Sequence, residues 1–280
     1  MAQSPMKYKA SLNEIIPCKC DLGEGLYVKD SFAIWVDITN NHIFFYDKKR
    51  LRKYLLKSKP SVVYFANKDY VLLGSDKGLV RFYFEDKREI VVSQKGLEHD
   101  KKTYRSNDGG VFNNFIYLSF MHRDQPESYP GLIYKLEDDT FFLQEKSVFI
   151  PNTFIDLKDF FLISDSFKNT IWSFEHNDFS NLVNKRLWAK FDNKISPDGG
   201  CKIEESIFVS LWDDASIAVL DRNGKITSKI SLPVLRPTNC KFNKEHSQLW
   251  ITSAKEGLDK NQIDLYPNSG NTFIYDLELC

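Results

Sequence analysis

The sequence repeats one unit, and its clearest copy is Ala33-Ile-Trp-Val-Asp-Ile-Thr-Asn-Asn-His-Ile-Phe-Phe-Tyr-Asp47. Two short apolar runs flank Thr39-Asn-Asn41, where asparagine tolerates the positive φ of a tight turn. This pattern predicts a β-hairpin. Aromatic residues make up 14% of the chain, and long stretches with helical apolar spacing are missing. We therefore expect an all-β protein.

Five further copies of this hairpin follow along the chain. The first strands of the six hairpins end at Asp37, Ser75, Phe120, Asp165, Leu211 and Ser253, with spacings of 38, 45, 45, 46 and 42 residues. A repeat of about 40–50 residues built only of short strands is typical of propeller blades, each a four-stranded sheet. The repeat predicts a six-bladed β-propeller. A β-sandwich is the alternative, but it needs no fixed repeat.

No linker or low-complexity stretch separates the copies, which predicts a single domain over residues 1–280, with residues 1–12 as a flexible N-terminal tail. A closed ring leaves no open sheet edge. We therefore expect the N-terminal strand around Glu14–Cys20 to pair with the C-terminal blade. The segment Lys49–Lys59 departs from the strand pattern, and its basic run predicts a short helix or a basic turn.

The charge balance limits the classes of partner. Lys plus Arg and Asp plus Glu both number 38 in 280 residues, which argues against a nucleic-acid binder. No apolar run reaches the roughly 18–20 residues of a membrane span, and the first residues lack the apolar core of a signal peptide. The cysteines are odd in number and widely spaced, which favours reduced thiols and a cytoplasmic location. They are Cys18, Cys20, Cys201, Cys240 and Cys280.

Polar residues recur at one position of the repeat. Residues just before the innermost strand of each blade converge at one mouth of a propeller's channel, and counting back 13 residues from the strand ends locates them. In four blades this step gives Glu24, Asn107, Asn152 and Asp198. In the other two it gives Val62 and Cys240, with Asn239 one residue away. Each of the four polar residues has Gly or Pro nearby, which also suits an ordinary turn.

Two carboxylates and two carboxamides suit a hard divalent cation such as Ca²⁺, Mg²⁺ or Mn²⁺, or Zn²⁺ completed by water. Without a cation, Glu24 and Asp198 would repel each other, and one would be forced toward its neutral form. No G-x-S-x-G motif occurs and no histidine belongs to the convergent set, which argues against a Ser–His–Asp hydrolase. Glycine-rich phosphate loops are also missing.

Short motifs along the chain match those of one known family in order and spacing. They are Gly23-Glu-Gly25, Trp35-Val-Asp-Ile38, Arg105-Ser-Asn-Asp-Gly109, Pro151-Asn152, Asp165-Ser166, Pro197-Asp-Gly199, Leu232-Pro-Val-Leu-Arg-Pro-Thr238 and Thr252-Ser-Ala254. From about Cys20 to Ala254 the chain thus resembles the senescence-marker-protein (regucalcin)/gluconolactonase/luciferin-regenerating enzyme family. The resemblance implies a six-bladed propeller, in agreement with the repeat count.

The resemblance also implies a chemistry, the metal-assisted hydrolysis of a sugar lactone. One divalent cation, with Ca²⁺ the first expectation, would be bound by Glu24, Asn152 and Asp198. Asp198 would act as the general base on the attacking water. The residues that match substrate contacts in the family are Arg105, Asn107 and Asp124, with Asn107 able to contact the metal instead.

Some positions depart from the family pattern. Leu26 replaces a proline, and Thr153 replaces a glycine. Asp124 is one methylene shorter than the matching glutamate. His122 and Arg123 are new, and they either favour a more acidic or differently shaped lactone or are simply exposed loop residues.

Two alternatives to a sugar lactonase stay open. One is a calcium-binding regulatory propeller without significant hydrolysis, and the other is a lactonase or esterase with a non-sugar substrate. In each case we expect a monomer or weak homodimer that binds neither nucleic acid nor membrane.

Overall fold

The computed structural model describes residues 8–29, 31–47, 50–177 and 180–279, and these form six four-stranded antiparallel sheets. The innermost strands of neighbouring sheets contact each other in cyclic order, so that the sheets are the blades of a closed ring. The predicted all-β, six-bladed propeller is confirmed.

The blades are numbered in chain order, and their strands run from the channel outward in blades 1 to 5. Blade 1 holds β2 (Gly23–Lys29), β3 (Phe32–Asp37), β4 (His42–Tyr46) and β5 (Leu51–Leu55). Blade 2 holds β6 (Pro60–Ala66), β7 (Tyr70–Ser75), β8 (Gly78–Tyr83) and β9 (Glu89–Ser93). Blade 3 holds β10 (Tyr104–Phe112), β11 (Phe115–His122), β12 (Leu132–Glu137) and β13 (Thr140–Glu145).

The second half of the ring repeats this plan. Blade 4 holds β14 (Pro151–Asp156), β15 (Phe161–Asp165), β16 (Thr170–His176) and β17 (Leu182–Lys190). Blade 5 holds β18 (Ser196–Ile203), β19 (Ser206–Trp212), β20 (Ser216–Leu220) and β21 (Ile226–Ser231). Blade 6 holds β22 (Arg236–Asn243), β23 (Gln248–Ala254), β24 (Thr272–Leu279) and, as its outermost strand, β1 (Tyr8–Ile16).

The N-terminal strand closes the ring, as predicted. Strand β1 pairs antiparallel with β24, from Tyr8 opposite Leu279 to Ile16 opposite Thr272. It begins and ends earlier than the expected Glu14–Cys20. Residues 8–12, expected in a flexible tail, lie in this strand, and residues 1–7 fall outside the described part of the chain.

The prediction of a short helix or basic turn at Lys49–Lys59 is wrong for the residues that the structure describes, which exclude Lys49. Leu51–Leu55 forms β5, paired along its length with β4. The charged side chains of Arg52 and Lys53 lie over the rings of Phe45 and Phe44, at 4.2 and 5.5 Å from the ring centroids. Because cation–π contact accommodates basic side chains on a sheet, and charge discourages further pairing at an edge, a basic outermost strand is stable here.

Apolar side chains from neighbouring blades fill the space between the sheets. Between blades 1 and 2, for example, Ile34 and Val36 pack with Val71, Leu73 and Val80, all of them fully buried. This packing fixes the innermost strands around the channel.

The segment between β23 and β24 contains the short helix α1 (Lys260–Leu265). A reciprocal capping box between Asp259 and Gln262 starts it. No helix in the described ranges has the length and apolar character needed to span a bilayer.

Candidate metal centre and active site

The predicted site residues lie near the start of the innermost strands, inside them and not before them as expected. In every blade the register between the innermost strand and its neighbour shifts at this point. Such a β-bulge redirects the nearby side chains. The residues at or beside the shift are Glu24, Ser61, Asn107, Asn152, Asp198 and Thr238. Six equivalent bulges thus surround the same end of the channel.

A cavity of about 280 Å³ lies at this end of the channel. Four of the predicted residues line it together, and so does Arg105. The full lining is Leu22, Glu24, Arg105, Asn107, Met121, Ile150, Asn152, Ser166, Ser196, Asp198, Trp212 and Glu256. Small-molecule sites usually have volumes of roughly 300–1,000 Å³, so this cavity suits one small ligand.

Two carboxyl groups lie together on the floor of this cavity. Glu24 and Asp198 are both buried and lie close enough for each carboxyl group to shift the pKa of the other. The backbone N–H of Gly25 donates to Glu24 Oε2 at 2.9 Å, whereas Asp198 Oδ1 has no hydrogen-bond partner among the described residues. Burial, followed by the nearby Asp108 charge, raises the pKa of Glu24 to about 7. Burial and the Glu24 charge raise the pKa of Asp198 well above its ordinary range.

The amide residues form a continuous hydrogen-bonded chain beside this pair. Arg105 Nη1 donates to Asn107 Oδ1 at 2.7 Å, and Asn107 Nδ2 donates to Asn152 Oδ1 at 3.0 Å. Asn152 Nδ2 donates to Ser166 Oγ at 2.9 Å, and that hydroxyl donates to the Pro197 carbonyl at 2.7 Å. The chain runs from blade 3 to blade 5 and fixes the direction of both amides. Because an amide oxygen has two lone pairs, Asn152 Oδ1 keeps one for a further ligand.

Asn239 joins the floor from blade 6. Its Nδ2 donates to Glu24 Oε2 at 3.3 Å, and its buried Oδ1 is without a partner in the described part of the chain. Counting back 13 residues gives Cys240 in blade 6, because Ser253 pairs with Pro237, 16 positions earlier. Asn239 itself lies one position beyond the bulge residue Thr238. Gly199 makes room for it, since a Cβ there would lie 2.4 Å from Asn239 Cγ.

These groups fit a hard divalent cation. Within the described part of the chain, Asp198 Oδ1 and Asn239 Oδ1 both lack hydrogen-bond partners, and buried polar atoms are rarely left so. No three side chains of His, Cys, Asp or Glu cluster in the described ranges. A cation here would therefore be held by Glu24 and Asp198 together with neutral oxygens such as Asn152 Oδ1, an oxygen set that suits Ca²⁺ or Mg²⁺.

A third buried carboxyl, Asp108, was missed because it follows Asn107 in a segment that resembles a turn. Burial raises its pKa, while the Lys241 charge and backbone N–H groups that include those of Thr153 and Phe154 oppose the rise. Lys241 Nζ also donates to the Gly200 carbonyl at 2.8 Å. Asp108 therefore adds negative potential near the floor without lining the cavity.

The departure at Thr153 is accommodated by a side-chain hydrogen bond. Thr153 has φ 53°, a left-handed conformation that glycine adopts freely, and Gly25 has φ 58° at the matching position of blade 1. The Thr153 hydroxyl donates to the Asp198 carbonyl. Thr153 therefore ties the bulge of blade 4 to that of blade 5.

The structure does not bring Asp124 into the cavity. Asp124 is exposed and lines a separate open pocket with Tyr104, His122 and Tyr129. His122 is not an exposed loop residue, because its ring is buried and stacks on Tyr129 at 4.7 Å. The part of Asp124 in substrate binding stays a prediction.

The four described cysteines, Cys18, Cys20, Cys201 and Cys240, are buried free thiols, and Cys280 lies outside the described residues. None of them lines the cavity. This is consistent with the expected structural role of the thiols.

The sequence model of the protein family described as "SMP-30/Gluconolactonase/LRE-like region" matches residues 22–255. Regucalcin of Gallus gallus is 27% identical over 263 residues, which covers 88% of this chain and 86% of the relative. The chain therefore belongs to the SMP-30/gluconolactonase/LRE-like family.

Solved structures show the same fold. The crystal structure of the calcium-binding protein regucalcin from Agrobacterium tumefaciens superposes with a TM-score of 0.87 at 22% identity, covering 96% of this chain and 95% of the other. A luciferin-regenerating enzyme superposes with a TM-score of 0.81 at 16% identity, covering 94% of both chains.

Proposed function

From membership of this family and the geometry of the cavity, we propose that the protein is a divalent-metal-dependent lactonase that opens a sugar (aldono)lactone. One observation carries the proposal. Two buried carboxyl groups, Glu24 and Asp198, lie together at the base of a cavity sized for one small molecule, and Asp198 Oδ1 has no hydrogen-bond partner among the described residues.

Glu24, Asn152 and Asp198 would hold the cation, with Ca²⁺ the first choice and Zn²⁺, Mn²⁺ or Mg²⁺ as alternatives. A bound divalent cation would polarise the lactone carbonyl and stabilise the negative charge that develops on its oxygen.

The residues of the chain supply the proton transfer and the orientation. Asp198 acts as the general base, because a carboxylate that holds the cation through one oxygen keeps the second oxygen to accept a proton from the attacking water. Arg105 uses only Nη1 for contacts within the described residues, to Ser106 O and Asn107 Oδ1, which leaves its other N–H groups for ring hydroxyls. Asn107 fixes the guanidinium and so positions these donors.

A second candidate is a calcium-binding propeller without significant hydrolysis. It is favoured by the name of the solved Agrobacterium relative, a calcium-binding protein. A non-sugar lactone or ester is the third candidate, suggested by the luciferin-regenerating relative. The cytoplasmic location, the monomeric or weakly dimeric state and the lack of nucleic-acid or membrane partners stay predictions.

A lactone panel separates these candidates. We expect the purified protein to open aldonolactones, to lose this activity in EDTA, and to regain it when Ca²⁺, Zn²⁺, Mn²⁺ or Mg²⁺ is added. Hydrolysis that is insensitive to chelator would refute the mechanism. Cation binding in calorimetry without turnover of any lactone or ester would favour the regulatory candidate.

A further inference from the structure

The positions around the rim of the cavity differ in charge from blade to blade. The residues two positions before the six bulge residues are Leu22, Lys59, Arg105, Ile150, Ser196 and Arg236, and four of these line the cavity. Blades 4 and 5 contribute the neutral Ile150 and Ser196, whereas blades 2 and 3 contribute Lys59 and Arg105. Arg105 lines the cavity itself, whereas Lys59 lies outside its lining, so a ligand would meet positive charge on the side of blade 3 and neutral rim positions in blades 4 and 5.

Two basic residues flank Arg105. On one side, the Ser106 hydroxyl donates to the Lys59 carbonyl at 3.5 Å, which places Lys59 beside the strand that carries Arg105. On the other side, Arg123 Nε donates to the Tyr104 carbonyl at 3.2 Å, one residue from Arg105. Lys59, Arg105 and Arg123 are called the cationic rim below.

Carboxylates lie near the cationic rim, but among the described residues none of them forms a salt bridge with it. Arg105 and Arg123 donate to backbone carbonyls and, for Arg105, to one neutral amide. Burial lowers the pKa of Lys59, and the charges of Arg123 and Arg105 lower it further, while the charges of Asp76 and Glu256 oppose the fall.

Arg236, the third basic residue at the rim positions, differs from Lys59 and Arg105 because it forms a salt bridge. Arg236 Nε pairs with Asp213 Oδ1 at 2.6 Å, and its guanidinium lies over the Trp212 ring at 4.8 Å. Glu256 also lines the cavity and its charge favours the charged forms of Arg105 and Lys59, but its Oε1 accepts from the Thr39 hydroxyl at 3.0 Å. Unpaired cations that repel one another at a cavity are stabilised when an anion binds between them.

We propose that the substrate is a lactone with a second, anionic group, a carboxylate or a phosphate, which Lys59, Arg105 and Arg123 bind at the blade 2–3 side of the cavity. This inference rests on the proposed lactonase function and adds the substrate class. Guanidinium groups donate two N–H bonds to a carboxylate or phosphate, and the lysine adds a point charge. The anionic group thus fixes which way round the lactone lies over Glu24 and Asp198.

The test compares three lactones derived from the same six-carbon sugar. The first is neutral, the second carries a terminal carboxylate, and the third carries a terminal phosphate. We expect one anionic lactone to have a kcat/KM about ten-fold or more above the neutral lactone, with a preference that weakens as salt is added. The better of the two identifies the anionic group. Lys59→Gln should reduce this selectivity ratio about ten-fold, and Lys59→Arg should restore most of it.

Lys190→Gln is the matched control, because it removes an exposed lysine from the outermost strand of blade 4 and should leave the ratio unchanged. Equal or better turnover of the neutral lactone, or a ratio that Lys59→Gln does not change, overturns the inference and leaves the lactonase function standing.

If no lactone is hydrolysed, the proposed function fails, and the rim is then tested by calorimetry with the open-chain sugar dicarboxylate and the phosphorylated sugar acid. Binding that Lys59→Gln weakens supports anion recognition by the rim. No binding of either acid overturns it.

Discussion

The floor and the rim of the cavity hold opposite charges in different blades: the floor carboxyl groups come from blades 1 and 5, and the basic rim residues Lys59 and Arg105 come from blades 2 and 3. On the floor, Glu24 and Asp198 are buried side by side, and their pKa values are raised. On the rim, Lys59 and Arg105 repel each other without a carboxylate partner among the described residues. In both places the chain brings like charges together without a salt bridge to an opposite charge among the described residues. The contrast between acidic floor and basic rim suits the binding of a cation at the base of the cavity and of an anionic group at its mouth.

The largest effect is expected on the floor, from Asp198→Asn. The substitution keeps the shape of the side chain but removes the proposed base and one charged ligand, so kcat/KM should fall at least about 1,000-fold. The cation-free variant should unfold at a higher temperature than the parent, because one of two repelling buried carboxyl groups is gone. Steady-state assays and thermal unfolding in EDTA test this. Activity within ten-fold of the parent would contradict the role given to Asp198.

The second effect is a pH dependence that the cation should abolish. The pKa of Glu24 is raised from 4.5 to about 7, so between these values the folded cation-free protein holds a proton that the unfolded chain has released. The contribution of the Glu24 carboxyl group to the free energy of unfolding is therefore greatest below about pH 4.5. It decreases by roughly 3 kcal/mol as the pH rises to about 7. Asp198 acts in the same direction.

Denaturant unfolding at pH 5 and pH 7.5, in EDTA and in saturating Ca²⁺, measures this effect. The decrease should be present in EDTA and small in Ca²⁺, because the cation favours the ionised carboxylates. Glu24→Gln is the control, and its loss of stability with pH in EDTA should be smaller. Equal pH profiles with and without cation would show that the floor does not bind it.

The smallest effect is expected outside both regions, from Asp124→Asn. Asp124 is exposed and lines a separate pocket, so a lactone confined to the central cavity would not contact it. We expect kcat/KM to change less than about two-fold, the usual result for an exposed side chain away from the reaction. A ten-fold rise in KM would show that the loop after His122 folds over the bound substrate.

The fold could be predicted because the repeat is written in short strands and turns. The position of the site could be predicted by counting because the pairing between the two innermost strands is the same in four blades. In each, the residue from which the count starts pairs with the residue 14 positions earlier. Asp37 pairs with Gly23, and Asp165 pairs with Pro151, each directly before a floor residue. In blade 6, Ser253 pairs with Pro237, 16 positions earlier, so the same count gives Cys240, one residue after Asn239.

The remaining features depend on tertiary contacts that local patterns do not contain. Leu51–Leu55 is a strand because β4 and its aromatic rings offer a partner, although the basic composition alone suggested otherwise. The burial of Asp108 and the grouping of Lys59 with Arg105 and Arg123 depend on how neighbouring blades pack. Thr153 also shows that a sequence motif can be replaced by a tertiary contact. Its left-handed backbone conformation suits glycine, but the hydrogen bond from the Thr153 hydroxyl to the Asp198 carbonyl stabilises threonine there.

The pairing of β1 with β24 has a mechanical consequence. Tyr8 lies opposite Leu279, so the two ends of the paired region emerge side by side from one edge of blade 6. A force applied between them would break the hydrogen bonds of this pair one after another, as in opening a zipper, and not all at once by shear. The ring should therefore yield to tension at this seam before any other blade is disturbed.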